Sequence, residues 1–271
     1  MKLYGLLGEK LGHSLSPQIH KIIFDSMGID GQYALIEVSR ENISKAVDAL
    51  KVLGYSGVNV TIPYKELIMP YLDEISPEAK AIGAVNVIHF VDGKAVGYNS
   101  DYYGFSKMLE LAGIEVKGKR AVQLGAGGAA KACVAALHDM GAESILVANR
   151  SSDKLDELKG RFSYIETCII NETEKLVGDV LVNCTPVGMY PKSDGCPVTQ
   201  DVISRFEAVG DVIYNPLETV LTGTAKKLGL KATSGLNMLV YQAVKAQEIW
   251  QQTTIDEALG EKIYQELAKN F

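Results

Sequence analysis

Short apolar runs of strand character alternate with stretches of helical periodicity along almost the whole chain, with no internal repeat and no low-complexity linker. Lys2–Gly8 reads as a buried strand. Residues 17–27 read as a helix, with Ser16 as its N-cap, Pro17 at its first position and Gly28 as its stop. A strand over 32–37, a helix over 43–53 ended by Gly54, and a short strand over 57–60 running into Thr61-Ile62-Pro63 follow. Short helices are expected after Pro63 and after Ser76-Pro77. Asp92-Gly93, between Val87–Val91 and residues 94–97, is a hairpin signal.

A second unit starts near Lys119. Arg120–Leu124 is a strand, a glycine-rich turn follows, residues 129–140 form a helix closed by Gly141, and 144–148 form the next strand. Further strands are expected over 166–170, 179–183, 208–213 and Lys231–Thr233. This βαβ rhythm predicts parallel sheets covered by helices and, in the second unit, a doubly wound dinucleotide-binding fold. The tail is helical: Leu236, Leu239, Val240, Ala243 and Val244 form a 3.6-period stripe, and Thr254-Ile255-Asp256-Glu257 fits a capping box for a last helix over 255–268. The expected fold class is α/β, with two domains and C-terminal helices that pack back on the first.

Composition narrows the function. At 271 residues, 47% hydrophobic and 22% charged, the chain is an ordinary globular protein, which excludes disorder, collagen-like repeats and a coiled-coil rod. The net charge of −6 and the lack of a basic tract argue against a nucleic-acid surface. No apolar run reaches the ~18 residues of a membrane span, and the N-terminus is strand-like, with no signal-peptide pattern. Cys133, Cys168, Cys184 and Cys196 are scattered and read as reduced thiols in a cytoplasmic protein. Neither they nor His13, His20, His89 and His138 show metal-site spacing, so no metal is expected.

Gly125-Ala126-Gly127-Gly128-Ala129-Ala130 fits G-x-G-x-x-A between a predicted strand and helix. The first glycine allows the tight turn, the second lets the backbone approach a pyrophosphate, and the small last residue lets helix and strand pack closely. The free N–H groups of the helix start suit phosphate. At the next βα junction, Asn149-Arg150-Ser151 carries no carboxylate for a ribose 2′-hydroxyl. Arg150, with Lys154 nearby, instead suits a 2′-phosphate, so NADP is preferred to NAD.

The first unit gathers polar clusters at predicted strand ends: His13-Ser14-Leu15-Ser16-Pro17, Asn59-Val60-Thr61-Ile62-Pro63-Tyr64-Lys65, Gly83-Ala84-Val85-Asn86 and Gly97-Tyr98-Asn99-Ser100-Asp101. Hydroxyl and amide groups there suit a polyhydroxylated ligand. Together with the glycine-rich loop, Asn149-Arg150-Ser151, Asn183-Cys184-Thr185-Pro186-Val187-Gly188-Met189, Ile213-Tyr214-Asn215-Pro216-Leu217 and Gly235-Leu236-Asn237-Met238-Leu239-Val240-Tyr241-Gln242, these clusters resemble the shikimate dehydrogenase family, in the family's order and over nearly the whole chain.

The resemblance implies NADP-linked interconversion of shikimate and 3-dehydroshikimate. It implies a substrate domain over 1–101, a Rossmann-type domain over 102–235, helices in 236–271 that return to the first domain, and an active site in the cleft between the domains. By position, Ser14 and Ser16, with help from Tyr214, would bind the substrate carboxylate. Asn59, Thr61, Asn86, Asp101 and Gln242 would hold ring hydroxyls, and Lys65 and Asp101 would form the acid–base pair. Gly125, Ala126, Gly127, Gly128, Ala129, Ala130, Asn149, Arg150, Ser151 and Lys154 would bind NADP, while Met189, Gly235 and Met238 would border the nicotinamide. A nearby Asp101 favours the Lys65 ammonium and burial favours the amine, so either member of the pair remains a candidate for the proton transfer.

Two positions depart from the family pattern: Ser100 stands where Thr is usual, and Pro77 where some members carry an acidic residue, with Glu78 adjacent. Asn59, Asn86 and Asn99 also suit plain turns; His13 and Tyr64 read as structural or supporting. Quinate in place of shikimate, a non-catalytic NADP-binding module and a methylene-tetrahydrofolate dehydrogenase-like enzyme are the competing readings. A monomer and a homodimer both fit, with small molecules as partners and neither nucleic acid nor membrane.

Overall fold

A computed structural model describes residues 1–12 and 14–271; His13 lies outside the described residues. The chain divides into two compact units, one of Met1–Asp101 with Val240–Gln265, the other of Tyr102–Leu239 with Glu266–Phe271.

The first unit carries β1 (Lys2–Gly8), α1 (Ser16–Met27), β2 (Gly31–Glu37), α2 (Ile43–Val52), β3 (Tyr55–Val60), α3 (Tyr64–Leu67), β4 (Glu74–Ile75), α4 (Pro77–Ile82), β5 (Val87–Val91) and β6 (Lys94–Tyr98). Its six strands lie in the order β2-β1-β3-β5-β6-β4. The sheet is mixed where the alternating pattern suggested a parallel one: β5 runs antiparallel to both β3 and β6. The cause is the tight turn at Asp92 and Gly93, both with positive φ (51° and 77°), which a two-residue hairpin requires.

Alternation along the strands sends side chains to two cores. Leu7, Val58, Val60 and Ile88 pack with Val47 and Leu50 of α2. On the other face Tyr4, Phe24 and Val87 pack with Ala246 and Trp250. The Trp250 indole N–H donates to the Ile88 carbonyl at 2.9 Å, and the ring lies over Gly57, whose missing Cβ would fall 2.2 Å from the indole nitrogen.

Two of three helix starts differ from expectation. Helix α1 begins at Ser16 itself, with Leu15 as N-cap and no side-chain cap. Ser16 is therefore not the cap; its N–H instead donates to the Ser14 hydroxyl at 3.2 Å. At α4, Ser76 does cap, accepting from the Ala79 N–H. The last helix starts at Glu257 rather than 255, with the Asp256 carboxylate accepting the Ala258 N–H at 2.8 Å. The shorter aspartate, one residue before the helix, reaches the orphan N–H directly.

The second unit opens with α5 (Asp101–Leu111) and continues through β7 (Arg120–Leu124), α6 (Gly128–Asp139), β8 (Ser144–Asn149), α7 (Ser152–Arg161), β9 (Glu166–Ile169), β10 (Val180–Asn183), α8 (Gln200–Ile203), β11 (Ala208–Asp211), α9 (Val220–Lys227) and β12 (Lys231–Thr233). Its strands, in the order β12-β11-β10-β7-β8-β9, are all parallel. This is the doubly wound Rossmann arrangement, with the order reversing beside β7, the strand that leads into the glycine-rich turn. Phe105, Met108 and Leu109 of α5 and Cys133, Val134 and Leu137 of α6 cover one face; Val202, Ile203, Leu221 and Ala225 cover the other. Helix α10 (Leu236–Gln251) begins in this unit and ends in the first, and α11 (Glu257–Ala268) closes the chain.

Gly57→Ala sets a methyl group against a fully packed indole. It is expected to cost about 1–3 kcal/mol, read as a lower denaturation midpoint in urea; an unchanged midpoint would show that Trp250 moves freely.

Candidate active site

The strand order of the first sheet brings the polar clusters to one edge. Strands β1, β3 and β6 end there, and β5, running the other way, begins there. Backbone bonds fix the junctions: Val60 N–H to the Asn86 carbonyl (2.8 Å), Thr61 N–H to Leu7 (2.9 Å), Val85 N–H to Lys65 (2.8 Å) and Asn86 N–H to Tyr98 (3.0 Å). Asn86 and the Lys65 turn are thereby tied to neighbouring strands before any side chain is considered.

Tyr64 is wholly buried, and its hydroxyl donates to the Val38 carbonyl at 2.5 Å. That anchor fixes the one-turn helix α3, from which the Lys65 ammonium meets the Asp101 carboxylate at 2.5 Å. The lysine side chain is 13% exposed and the aspartate 2%. The other Asp101 oxygen accepts from the Asn86 amide at 2.9 Å. The same amide nitrogen lies within 3.0 Å of the Ser100 hydroxyl and 3.2 Å of the Gln242 amide oxygen, while Asn86 Oδ1 accepts the Ser100 N–H at 2.6 Å. Lys65, Asn86, Asp101 and Gln242 thus form one connected group. Ser100 supplies a hydroxyl and a backbone donor to it, both of which survive the loss of threonine's methyl.

A second group adjoins it. The Tyr33 hydroxyl donates to Asn59 Oδ1 at 2.7 Å and also bonds the Ser16 side chain; Asn59 Nδ2 reaches the Asn86 carbonyl at 3.3 Å. Beneath, the His20 ring stacks on Tyr33 with centroids 4.1 Å apart. Burial pulls the His20 pKa down to about 3, so the ring is neutral, and its Nδ1 faces the Gln247 amide at 2.8 Å. Thr61 is half-buried beside Gly8, and Pro77 opens α4 behind the Ser76 cap. Tyr214 belongs to the second unit, where burial raises its phenol pKa.

In the second unit Gly125 takes φ +103°, and a Cβ there would meet the Cys184 backbone at 3.0 Å, so only glycine fits the turn. Gln123, buried below, donates to the carbonyls of Gly125 (3.1 Å) and Ala130 (3.2 Å). Gly127 is the N-cap of α6, and no protein atom lies within 4 Å of the place a Cβ would occupy. An exposed glycine, open space above it and the unpaired N–H groups of a 12-residue helix fit a pyrophosphate. Ala126 and Ala130 are buried, and Gly128 and Ala129 sit in the first turn. At the end of β8 the Asn149 amide donates to the Ser151 carbonyl at 3.2 Å, and Arg150 and Lys154 are exposed cations.

The three residues expected at the nicotinamide differ in setting. Met189 is 46% exposed, whereas Met238 is 5% exposed and packs in the core with α5 and α6. A Cβ on Gly235 would fall 2.0 Å from the Val212 carbonyl oxygen, so close backbone approach by itself demands glycine there. Among the described residues no group of His, Cys, Asp and Glu is placed to hold a metal ion, and no helix is long and apolar enough to cross a membrane.

Tyr33 and Asp211 were not singled out in the sequence. Tyr33 gives no signal beyond strand alternation. Asp211 gives one: a carboxylate ending an otherwise apolar, buried strand.

Comparison with known proteins agrees with this architecture. Residues 6–88 match the family model described as the shikimate dehydrogenase substrate binding domain, and residues 108–187 match shikimate / quinate 5-dehydrogenase. The chain is 48% identical to the shikimate dehydrogenase (NADP(+)) of Clostridium perfringens strain SM101, over the full length of both. Among solved structures, shikimate dehydrogenase 1 from Peptoclostridium difficile is 46% identical, with a TM-score of 0.90 over 100% of this chain and 99% of that one. The Thermus thermophilus shikimate 5-dehydrogenase, solved in complex with NADP(H) and shikimate, is 33% identical, with a TM-score of 0.88 over 98% and 99%. With a matching sequence along its whole length and matching folds, the chain belongs to the shikimate dehydrogenase family.

Proposed function

We propose that this chain catalyses the reversible, NADP-dependent reduction of 3-dehydroshikimate to shikimate. The observation that carries the reading is the Lys65–Asp101 pair, 2.5 Å apart, joined to Asn86 and Gln242 at a sheet edge lined with hydroxyls and amides. The full-length relatives named for NADP(+) and for shikimate support it.

Residues 1–101, with the helices in 236–271, are assigned to substrate, and residues 102–235 to NADP. Ser14 and Ser16, with Tyr214, take the substrate carboxylate; Asn59, Thr61, Asn86 and Gln242 hold ring hydroxyls. In the cofactor unit the N–H groups over 125–130 take the pyrophosphate. Asn149, Arg150, Ser151 and Lys154 take the phosphorylated ribose, with Arg150 as the 2′-phosphate reader. Met189, Gly235 and Met238 border the nicotinamide. The partners are the two small molecules; the chain works as a cytoplasmic monomer or homodimer.

A nicotinamide held beside Met189, Gly235 and Met238 would supply or take the hydride. Proton handling falls to Lys65. Both Asp101 oxygens are engaged, one by Lys65 and one by Asn86, and the carboxylate is almost wholly buried. The ammonium keeps two further hydrogens after pairing with Asp101. It donates one to the ketone oxygen during reduction, and the amine takes one from the alcohol in reverse. Asp101 holds the lysine in place and balances its charge.

The deciding experiment is absorbance at 340 nm with shikimate and quinate against NADP⁺ and NAD⁺. Shikimate with NADP⁺ should give the highest kcat/KM; no reduction with either substrate would remove the reading. Lys65→Ala should lower kcat by at least ~10²-fold with NADPH affinity retained, and near-normal turnover would clear Lys65 of the role. Arg150→Ala should weaken NADPH about 10-fold or more while sparing NADH. Equal losses on the two cofactors would reject Arg150 as the phosphate reader.

A further inference from the structure

Strands β10 and β11 end side by side, with Asn183 opposite Asp211, at the carboxyl edge of the parallel sheet where ligands of such sheets bind. Both side chains are fully buried. Asp211 Oδ1 accepts from Asn183 Nδ2 (3.0 Å) and the Ile213 N–H (3.1 Å), and Oδ2 accepts from the Thr219 hydroxyl (2.7 Å). Asn183 passes this on: its Oδ1 accepts the N–H and hydroxyl of Thr185 (3.0 and 2.7 Å), and Thr185 Oγ1 accepts the Val187 N–H (3.2 Å). The segment after Val187 returns to the same centre. A Cβ on Gly188 would meet the Gly195 carbonyl at 3.0 Å, and the Tyr190 N–H donates to the Asn215 carbonyl at 2.9 Å. Thr219 also caps α9, accepting the Thr222 N–H.

We infer that Asp211 is a positioning residue for the reaction: its carboxylate ties the Asn183–Met189 segment, the Ile213–Tyr214 segment and the start of α9 into one arrangement, which sets the place of the nicotinamide. The inference rests on the functional reading above, which puts Met189 and Tyr214 at the two ligands. All three groups facing the carboxylate are donors in its charged form. A protonated carboxyl would bring a hydrogen of its own to a site already filled by donors, so the tie is made by the anion. Burial raises the Asp211 pKa to about 6 against the three hydrogen bonds that lower it, which puts the switch just below neutrality.

Four other ionisable groups lie on the neighbouring segments, Asp194, Cys196, Tyr214 and Glu218. Burial raises the Cys196 thiol, and the Asp211 charge adds to the effect; burial also raises the Tyr214 phenol. Glu218, beside Thr219, is paired with Lys226 at 2.6 Å, and that pairing lowers its pKa. Asp194 is exposed.

The sign of the stability effect separates positioning from plain structural support. The folded pKa lies above the ordinary 3.8, so the folded chain takes up the proton first. This group therefore favours folding more as pH falls through about 6, while the tie to the cofactor segments is lost.

The test compares wild type with Asp211→Asn, which is close in shape and cannot ionise. Wild type should lose kcat/KM for NADP⁺ below about pH 6 while its denaturation midpoint holds or rises relative to the variant. Asp211→Asn at pH 8 should raise KM for NADP⁺ and lower kcat, about 10-fold together, with the acid limb gone. Thr219→Val removes one stabilising donor and should move the limb to higher pH, whereas Thr219→Ser keeps the hydroxyl and should leave it in place. If Asp211→Asn does not fold, the Thr219 pair decides. Calorimetric titration with NADP⁺ across the same pH range reads the tie even where turnover is absent. An acid limb that stays in Asp211→Asn and does not move in Thr219→Val would overturn the inference. Absence of shikimate oxidation by wild type would instead count against the functional reading alone.

Discussion

A carboxylate as deeply buried as that of Asp101 persists only if every lone pair it presents is answered. In this chain the answers come from an ammonium on the turn after β3 and an amide before β5, while the carboxylate itself opens α5. The aspartate also sits at the positive end of that helix, which favours its charge. Removing one partner of a buried pair typically costs ~3–5 kcal/mol because the other charge is stranded. That penalty holds three chain segments in register without any ligand, so the polar edge of the first sheet is arranged in advance of binding. Preorganisation of this kind is where catalytic sites gain most, since donors fixed beforehand need not be rearranged during the reaction.

The two units answer the same problem differently. The first places side chains: hydroxyls, amides and one ammonium, each anchored by a neighbour, as Asn59 is by Tyr33 and Lys65 by the buried Tyr64. The second places backbone: a turn only glycine can make, an open face at Gly127, and a buried glutamine fastening the loop from below. A polyol needs many directional donors and acceptors, whereas a pyrophosphate is met well by peptide N–H groups at a helix start.

What could be read from the sequence follows from how local each cause is. Lys2–Gly8 and Arg120–Leu124 are apolar over most of their length, and their bounds are legible. The Asp92-Gly93 turn and the Gly28, Gly54 and Gly141 stops are legible because positive φ is a property of single residues. Helix α5 escaped notice: Asp-Tyr-Tyr-Gly-Phe has weak helical preference, and its Phe105, Met108 and Leu109 stripe matters only once packed. The two-residue β4 has no periodicity to detect. Among site residues, types and spacing pointed to the polar clusters, and the family resemblance to Lys65 and Asp101 as a pair. Their pairings did not follow, because Asn86 meets Asp101 and Gln242 only through strand order, and the ties of Asp211 cross from one strand end to another.

Trp250 fills the space that Gly57 leaves empty, and it lies near the end of the chain while the strand it covers lies near the beginning. The first unit is thus discontinuous: its sheet is complete by Tyr98, but one hydrophobic face stays bare until Val240–Gln265 is made. During synthesis the strand that bears Asn59 and the strand that follows Asn86 leave the ribosome more than 150 residues before their indole cover, whereas the second unit has all its strands once Thr233 has been added. The sheet encoded first is therefore covered on that face only after every strand of the second sheet has been made.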